Sequence, residues 1–175
     1  MKNNTSRPLA IGLTILGMLA RLVPHAPNFT PVGGVSLFAG GRLGGWKAYL
    51  LPLVLMLVTD PLVGGYSFAT PFVYLSFLIY VWIGSRLRGT QKPLAIGGAA
   101  VAGSIQFFVI TNFGVWLGST ALYPHTAAGL LACYVAAIPY FYSRTLLADL
   151  FYSAALFGAY ALLSRRVAVA NQTAA

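Results

Sequence analysis

The chain has 175 residues, of which 58% are apolar and 7% are charged, and its mean hydropathy is +0.78. Because about a quarter of the residues in soluble domains are charged, this composition excludes an ordinary soluble domain. It predicts an all-α, polytopic membrane protein with a single domain over residues 1–175. The length suits about six crossings of roughly 20 residues each and excludes an attached soluble ATPase. The net charge of +9 does not predict nucleic-acid binding, since the cations are scattered at predicted helix ends.

Six apolar segments, taken in chain order, predict transmembrane helices at about residues 8–23, 31–44, 45–62, 71–84, 93–117 and 144–164. Thr30-Pro31 and Thr70-Pro71 predict helix starts, with threonine as the N-cap and proline at the first helical position. The second segment spans only about 20 Å at 1.5 Å per residue, so we expect neighbouring helices to shield it, or the bilayer to be thin there. The small residues at 97–104 predict close approach of helix backbones.

The segment at 122–141 is also apolar enough to cross a membrane. A crossing there would move Arg165 and Arg166 to the outside and Arg144 to the inside. We therefore predict an outer re-entrant or interfacial helix at about 125–138, broken near Pro139.

The distribution of lysine and arginine predicts the orientation. With this threading, nine of the eleven basic residues lie on the cytoplasmic side, together with both termini. Arg21 and Arg144 lie near the opposite face, as do both acidic residues and both histidines. Ionisable groups at membrane depth cost about 2.5–3.5 kcal/mol each on insertion scales. We therefore expect these groups to face protein or a wet cavity.

Polar and aromatic side chains converge on the outer side of this topology and predict an outward-facing substrate pocket. Aromatic rings would stack on a planar or amphipathic ligand, while arginine, histidine and asparagine side chains would bind its polar edge. The predicted substrate-binding residues are Arg21, His25, Asn28, Asp60, Tyr66, Asn112, Trp116, Tyr123, Tyr134, Arg144 and Asp149.

Simpler roles are open for several of these residues. Arg21 can pair with Asp60, and Arg144 with Asp149, as structural ion pairs between helices. Trp116 lies where an interfacial aromatic belt would lie.

Motifs for catalysis and metal binding are absent from the sequence. It contains no HExxH, GxSxG, GxxxxGK or CxxC pattern. His25, His125 and an aspartate are suitable zinc ligands, but nothing in their spacing favours a site. The single cysteine, Cys133, excludes an intrachain disulfide and a thiolate cluster. We therefore predict no enzymatic activity, no cofactor and no metal.

A resemblance extends over nearly the whole chain and is carried by the runs RLVPHAPNFTPVGGVSLFAGG, NFGVW and CYVAAIPYFYSRTLLADLFYSAALFG, with Thr59-Asp60 between the first two. The chain resembles an uncharacterised family of small bacterial integral membrane proteins that are proposed to act in transport. More distantly, its size, six segments and short second helix are similar to the S components of energy-coupling factor (ECF) vitamin transporters. The resemblance implies a bacterial inner-membrane location, a vitamin-sized ligand and a transmembrane coupling subunit with ATPases.

In S components, small residues on the first helix dock on the coupling subunit. Here Ala10, Thr14 and Gly17 form an i, i+4, i+7 stripe of small residues, which departs from a strict alanine-x-x-x-alanine pattern. Close packing between helices of the same chain is the alternative role of this stripe.

The expected function is binding and uptake of a vitamin-sized micronutrient by a membrane-embedded, S-component-like protein. Two other classes stay open. One is a non-transporting membrane protein, such as an assembly factor or a small intramembrane acid/base enzyme that uses Asp60 and Asp149. The other is a solitary proton-coupled carrier, for which neutralising either aspartate would abolish accumulation and leave ligand binding intact.

Overall fold

The computed structural model describes residues 6–118 and 121–173, and these residues are predominantly helical, with no strand among them. The α-helices are α1 (Ser6–Leu19), α2 (Val32–Arg42), α3 (Lys47–Val63), α4 (Thr70–Ser85), α5 (Pro93–Gly118), α6 (Ala127–Tyr140) and α7 (Leu147–Thr173). A 3-10 turn, Ala20–Leu22, extends α1, and a π-helical segment, Phe141–Leu146, joins α6 to α7. The chain is therefore an all-α bundle of six helical runs in its described part.

The short helix α2 is the centre of the bundle. All residues from Val32 to Gly41 are buried, and α2 contacts α1, α3, α4, α5 and α7. Five of its eleven residues are glycine or alanine, so it has little side-chain volume and its neighbours can approach closely. The expected shielding of this helix by its neighbours is confirmed.

Helices α2 and α4 cross with their backbones in close contact. A Cβ atom added at Gly40 would overlap the carbonyl oxygen of Val81, and one added at Gly84 would overlap the carbonyl oxygen of Leu37. Each helix therefore presents a glycine to the backbone of the other. The predicted close approach at residues 97–104 is different in kind, because Gly103 packs against the ring of Tyr80 while Gly98 has open space around it.

The segment at 127–146 departs from the predicted separate outer helix. It continues into α7 as one helical run, and Pro139 lies inside α6 rather than at a break. The helix continues past the proline and widens into the π-helical segment, which begins at Phe141, two residues after Pro139. The predicted helix at 144–164 is thus the continuation of α6.

Length and composition alone make two helical runs suitable for crossing a membrane. They are Pro93–Gly118, with a hydropathy of 1.8, and Ala127–Val167, with a hydropathy of 1.7. Helix Thr70–Ser85 is apolar but shorter.

The two ends of the bundle differ in charge. Arg42 donates to the carbonyl oxygens of Leu87 (3.1 Å) and Thr90 (2.6 Å), and so ties the end of α2 to the loop between α4 and α5. We call this the basic end; its members are Arg7, Arg42, Lys47, Arg86, Arg88 and Lys92. The opposite end, which we call the loop end, consists of residues 20–31, 64–69 and 121–126 and holds Arg21 and Arg144.

The stripe of small residues on α1 faces the interior of the chain. Ala10 and Thr14 are fully buried, and a Cβ atom at Gly17 would lie 2.8 Å from a methyl group of Val35 and 3.4 Å from one of Leu156. In this structure the stripe therefore packs α1 against α2 and α7, and only Gly17 is partly exposed.

Candidate functional site

Three cavities meet at Asn28 at the loop end of the bundle. The first has a volume of about 550 Å³, the second about 530 Å³ and the third about 30 Å³. Asn28 and Phe107 contribute to the walls of all three, and Val73 lies between the first two. Each of the larger cavities falls within the range of small-molecule sites, roughly 300–1,000 Å³.

The first cavity combines charged and apolar walls. Arg21, His25, Asn28 and Asp60 supply its polar side, and Phe77, Phe107 and Met56 are among its apolar residues. The loop at 23–30 covers one side of this cavity, and the Nδ1 atom of His25 lies 2.6 Å from the carbonyl oxygen of Val23. Three of the polar residues therefore come from the segment after α1, and Asp60 comes from α3.

Arg21 and Asp60 form an ion pair across the first cavity. Nη1 of Arg21 lies 2.8 Å from Oδ1 of Asp60 and donates to Oγ1 of Thr59 at 2.9 Å. The other carboxylate oxygen of Asp60 accepts from the hydroxyl of Tyr74 at 2.5 Å. The two side chains are only 12% and 8% exposed, so the pair joins α1, α3 and α4 with little contact with bulk solvent.

Asn28 has the left-handed backbone conformation, with φ of 64°. Asparagine tolerates this region better than most residues because its short polar side chain can bond locally. The conformation turns the loop at 23–30 back toward the bundle, and Phe29 then packs between Phe151 and Tyr152 of α7 at ring distances of 6.5 and 5.9 Å. The loop is thereby anchored with Asn28 above the junction of the cavities.

The second cavity lies between α5 and the run of α6 with the π-helical segment. Asn112, Tyr123 and Cys133 line it, together with the aromatic residues Phe107, Phe108, Tyr140 and Phe141. The side-chain nitrogen of Asn112 donates to the carbonyl oxygen of Phe108 at 2.8 Å. No hydrogen bond is found for its amide oxygen in the described chain, which leaves that oxygen available to a ligand donor.

The third cavity is a narrow extension toward a buried carboxylate. Asp149 is 3% exposed, and its Oδ2 atom accepts hydrogen bonds from the hydroxyl of Tyr80 and from Oγ of Ser104, the latter at 2.6 Å. The walls include Asn28 and Thr30 on the side of the loop. The alternative pairing of Arg144 with Asp149 is wrong, because Asp149 faces α2, α4 and α5, while Arg144 reaches the loop.

Four predicted binding residues do not line the cavities. Each instead donates a hydrogen bond to a backbone carbonyl oxygen of the surrounding helices and loops. Tyr66 donates to the carbonyl oxygen of Leu57, and Tyr134 donates to that of Val109, each at 2.8 Å. Trp116 donates to Pro124 at 2.9 Å, and Arg144 donates to Pro27 at 3.2 Å. The cavities therefore unite seven of the eleven predicted residues: Arg21, His25, Asn28, Asp60, Asn112, Tyr123 and Asp149.

Phe107, Tyr74, Tyr80 and Ser104 are site residues that sequence reasoning did not find. Tyr80 and Ser104 lie in runs that read as ordinary apolar or small-residue helix. The available signal was the hydroxyl of Tyr80 itself, because a buried tyrosine usually finds a polar partner. Its partner, Asp149, is 69 residues away in the sequence.

A family model described as "Family of unknown function (DUF6580)" matches residues 1–172. The chain belongs to this family. No curated protein and no solved structure matches the chain.

A different groove lies at the basic end. It has a volume of about 300 Å³ and is lined by apolar residues of α1 and α3 with Trp46, Arg7 and Lys47 at its edge. Its wall offers almost no hydrogen-bonding group, whereas the cavities at the loop end contain carboxylate, guanidinium and amide groups. Because specific binding of a small polar ligand needs such groups, we assign the candidate site to the loop end.

Proposed function

We propose that this protein is a multi-pass inner-membrane protein that binds a vitamin-sized micronutrient from outside and takes part in its uptake, in the manner of an S component. The observation that supports this proposal is the junction of two ligand-sized cavities at Asn28, at the end of the bundle opposite most of the cations. A binding protein needs such a site, and it needs no catalytic group.

A membrane environment accounts for the surface of the bundle. Large apolar side chains are exposed around it, among them Leu16 (66%), Leu131 (64%) and Leu162 (65%). In water a surface of this kind would drive association, whereas acyl chains solvate it. The cations of the basic end then lie on the cytoplasmic side, and the cavities open to the outside.

The walls define the class of ligand. Phe107 and Phe108 offer ring faces to a planar or amphipathic molecule, while the amides of Asn28 and Asn112 offer both donors and acceptors. The pair of Arg21 and Asp60 supplies adjacent positive and negative groups. A heteroaromatic molecule with a polar rim, of vitamin size, matches this set.

Uptake requires the site to change its access, and the loop at 23–30 is the element that can do so. Arg144 donates to the carbonyl oxygen of Pro27 in this loop, and Phe29 of the loop packs on α7. A ligand that bonds Asn28 and the helix walls together favours a closed position of this loop. The Arg144 contact transmits that change to the π-helical segment.

A coupling subunit, if it energises uptake, docks elsewhere than on the stripe of Ala10, Thr14 and Gly17, because this stripe is packed inside the chain. The basic end presents the exposed Trp46 and the groove beside it to the cytoplasmic side. This end is where a cytoplasmic energising module has access to the protein.

The orientation can be tested with two matched cysteines. In a Cys133→Ala background, Ser67→Cys lies in the loop between α3 and α4, and Gln91→Cys lies in the loop between α4 and α5. Both positions are exposed, and neither side chain makes a hydrogen bond in the structure. We expect a membrane-impermeant maleimide applied to intact spheroplasts to label Ser67→Cys, and to label Gln91→Cys only after the membrane is opened.

The Cys133→Ala parent controls for background labelling, and denatured samples control for the reactivity of each cysteine. Labelling of Gln91→Cys but not Ser67→Cys in intact spheroplasts would place the cavities on the cytoplasmic side and contradict uptake from outside. Equal labelling of both, with recovery of the protein in the soluble fraction, would contradict a membrane location.

A further inference from the structure

Asp149 is a buried carboxyl group whose negative charge is not balanced by a cation. Within the described residues, the ion pair of Arg21 and Asp60 is the only one, and Arg144 instead contacts Pro27 and the ring of Tyr140. Placing an isolated carboxylate in a protein interior is costly, and such groups usually neutralise or gain a partner. The surroundings of Asp149 therefore favour binding of a positive species.

Two hydroxyl groups stabilise the opposite state of the same carboxyl. The hydroxyls of Tyr80 on α4 and Ser104 on α5 both bond Oδ2, although the single proton of Ser104 also has the carbonyl oxygen of Ala100 as an acceptor at 2.9 Å. A hydrogen bond donated to a charged carboxylate is stronger than one donated to a neutral carboxyl. Burial favours the neutral form, and the two donors favour the ionised form. The surroundings of Asp149 therefore stabilise the neutral form and the ionised form of its carboxyl group, each by a different interaction.

The remaining oxygen, Oδ1, lies against Gly33 of α2, where a Cβ atom would overlap it. The small cavity of about 30 Å³ also reaches Asp149 and continues to Asn28 and Thr30 at the junction of the larger cavities. A cavity of this size has room for about one water molecule. Water can therefore bring a proton from the ligand cavities to Asp149.

We propose that Asp149 is a proton-binding site coupled to the ligand cavities. The inference deepens the proposed uptake function and rests on it for the role of the cavities. A proton from a hydronium ion in the small cavity binds Oδ1 and leaves water behind, so that Oδ1 carries the O–H group while Oδ2 keeps its two donors. Binding of the proton and binding of the ligand can then influence each other, because the small cavity connects Asp149 with Asn28.

A metal cation fits the same place poorly. Sodium and calcium ions require several oxygen ligands, but the hydroxyls of Tyr80 and Ser104 already donate to Oδ2. The neighbouring backbone at Gly33 is inside α2, where carbonyl groups are occupied by helical hydrogen bonds. Within the described residues, no group of three or more His, Cys, Asp or Glu side chains could hold a metal. A proton needs only the one free oxygen.

Infrared difference spectroscopy over pH tests this proposal, because the chain contains only two acidic side chains. We expect the carbonyl band of a protonated carboxyl at about pH 5, where an unperturbed aspartate with a pKa of about 3.9 is mostly ionised. The band should disappear as the pH rises, and it should move to lower frequency in D₂O because water reaches Oδ1. Asp149→Asn should abolish the band, and Asp60→Asn should retain it.

Ser104→Ala provides a variant that keeps the carboxyl. Loss of one donor to the ionised form should move the pH midpoint of the band upward by about one unit. Persistence of the band in Asp149→Asn, its absence from the wild-type protein, or an unchanged midpoint in Ser104→Ala would overturn the proposal. These outcomes do not depend on a ligand, so failure here is distinguishable from failure of the uptake function.

Discussion

Asp60→Asn should lower the free energy of unfolding by about 3 kcal/mol, the largest effect that we expect from a single polar substitution. The guanidinium of Arg21 loses the carboxylate 2.8 Å away and stays largely buried, with its side chain 12% exposed. Removing one partner of a buried pair costs about 3–5 kcal/mol because the other charge is left uncompensated. We expect the lower figure, because the adjoining cavity admits water to the arginine.

A double-mutant cycle measures this effect. Thermal unfolding of wild type, Asp60→Asn, Arg21→Gln and the double variant can be followed by tryptophan fluorescence in mild detergent. The double variant should be more stable than the sum of the two single losses predicts, since it contains no unpaired charge. Strict additivity would show that the two side chains do not depend on each other, contrary to the ion pair described above.

Gly84→Ala should destabilise the protein by about 1–3 kcal/mol, although alanine is the better helix former. The added methyl group overlaps the carbonyl oxygen of Leu37, which belongs to a buried helix backbone that cannot rotate away. Insertion of atoms into a packed core typically costs this amount. Moving α4 away from α2 also disturbs the packing around the central helix of the bundle, so we expect a lower unfolding temperature.

The matched control is Gly98→Ala, a helical glycine in α5 with nothing within 4 Å of its Cβ position. This substitution should be neutral or stabilise the protein by up to about 1 kcal/mol, because alanine restricts the unfolded chain. If Gly84→Ala were as stable as Gly98→Ala, the close crossing of α2 and α4 would not be a feature of the protein.

The helical class, the positions of most helices and the burial of α2 could be read from apolar segments and glycine content. The threonine-proline pairs do lie at the starts of α2 and α4, but the predicted threonine N-caps are wrong: the N-caps are Pro31 and Ala69, and neither makes a side-chain capping bond. The continuity of α6 and α7 could not be read from the sequence. Pro139 ordinarily ends or kinks a helix, yet here the helix continues past it into the π-helical segment, which packs against α5. The distribution of charged residues predicted a separate outer helix, and it carries no information about such a wide turn.

The ion pair is the part of the candidate site that could be predicted from the sequence, because a buried charged side chain needs a partner of opposite charge. Arg21 and Asp60 are scarce charges near one face of an apolar chain, and the structure pairs them. The other possible pair, Arg144 with Asp149, was equally consistent with the sequence. The outcome depended on side-chain direction, since Asp149 turns toward Tyr80 and Ser104 on two other helices. Such direction is set by tertiary packing, which local sequence does not encode.

Native mass spectrometry most directly tests the central claim that the cavities at Asn28 bind a small molecule. The protein is purified in mild detergent from its own host, alongside Asn28→Gly, which permits the left-handed backbone at this position but removes the amide shared by all three cavities. We predict a copurifying heteroaromatic molecule in the wild-type spectrum, reduced about tenfold or more in Asn28→Gly by loss of its hydrogen bonds. An empty spectrum, even after incubation with a vitamin mixture, would contradict the claim and favour a non-transporting membrane protein.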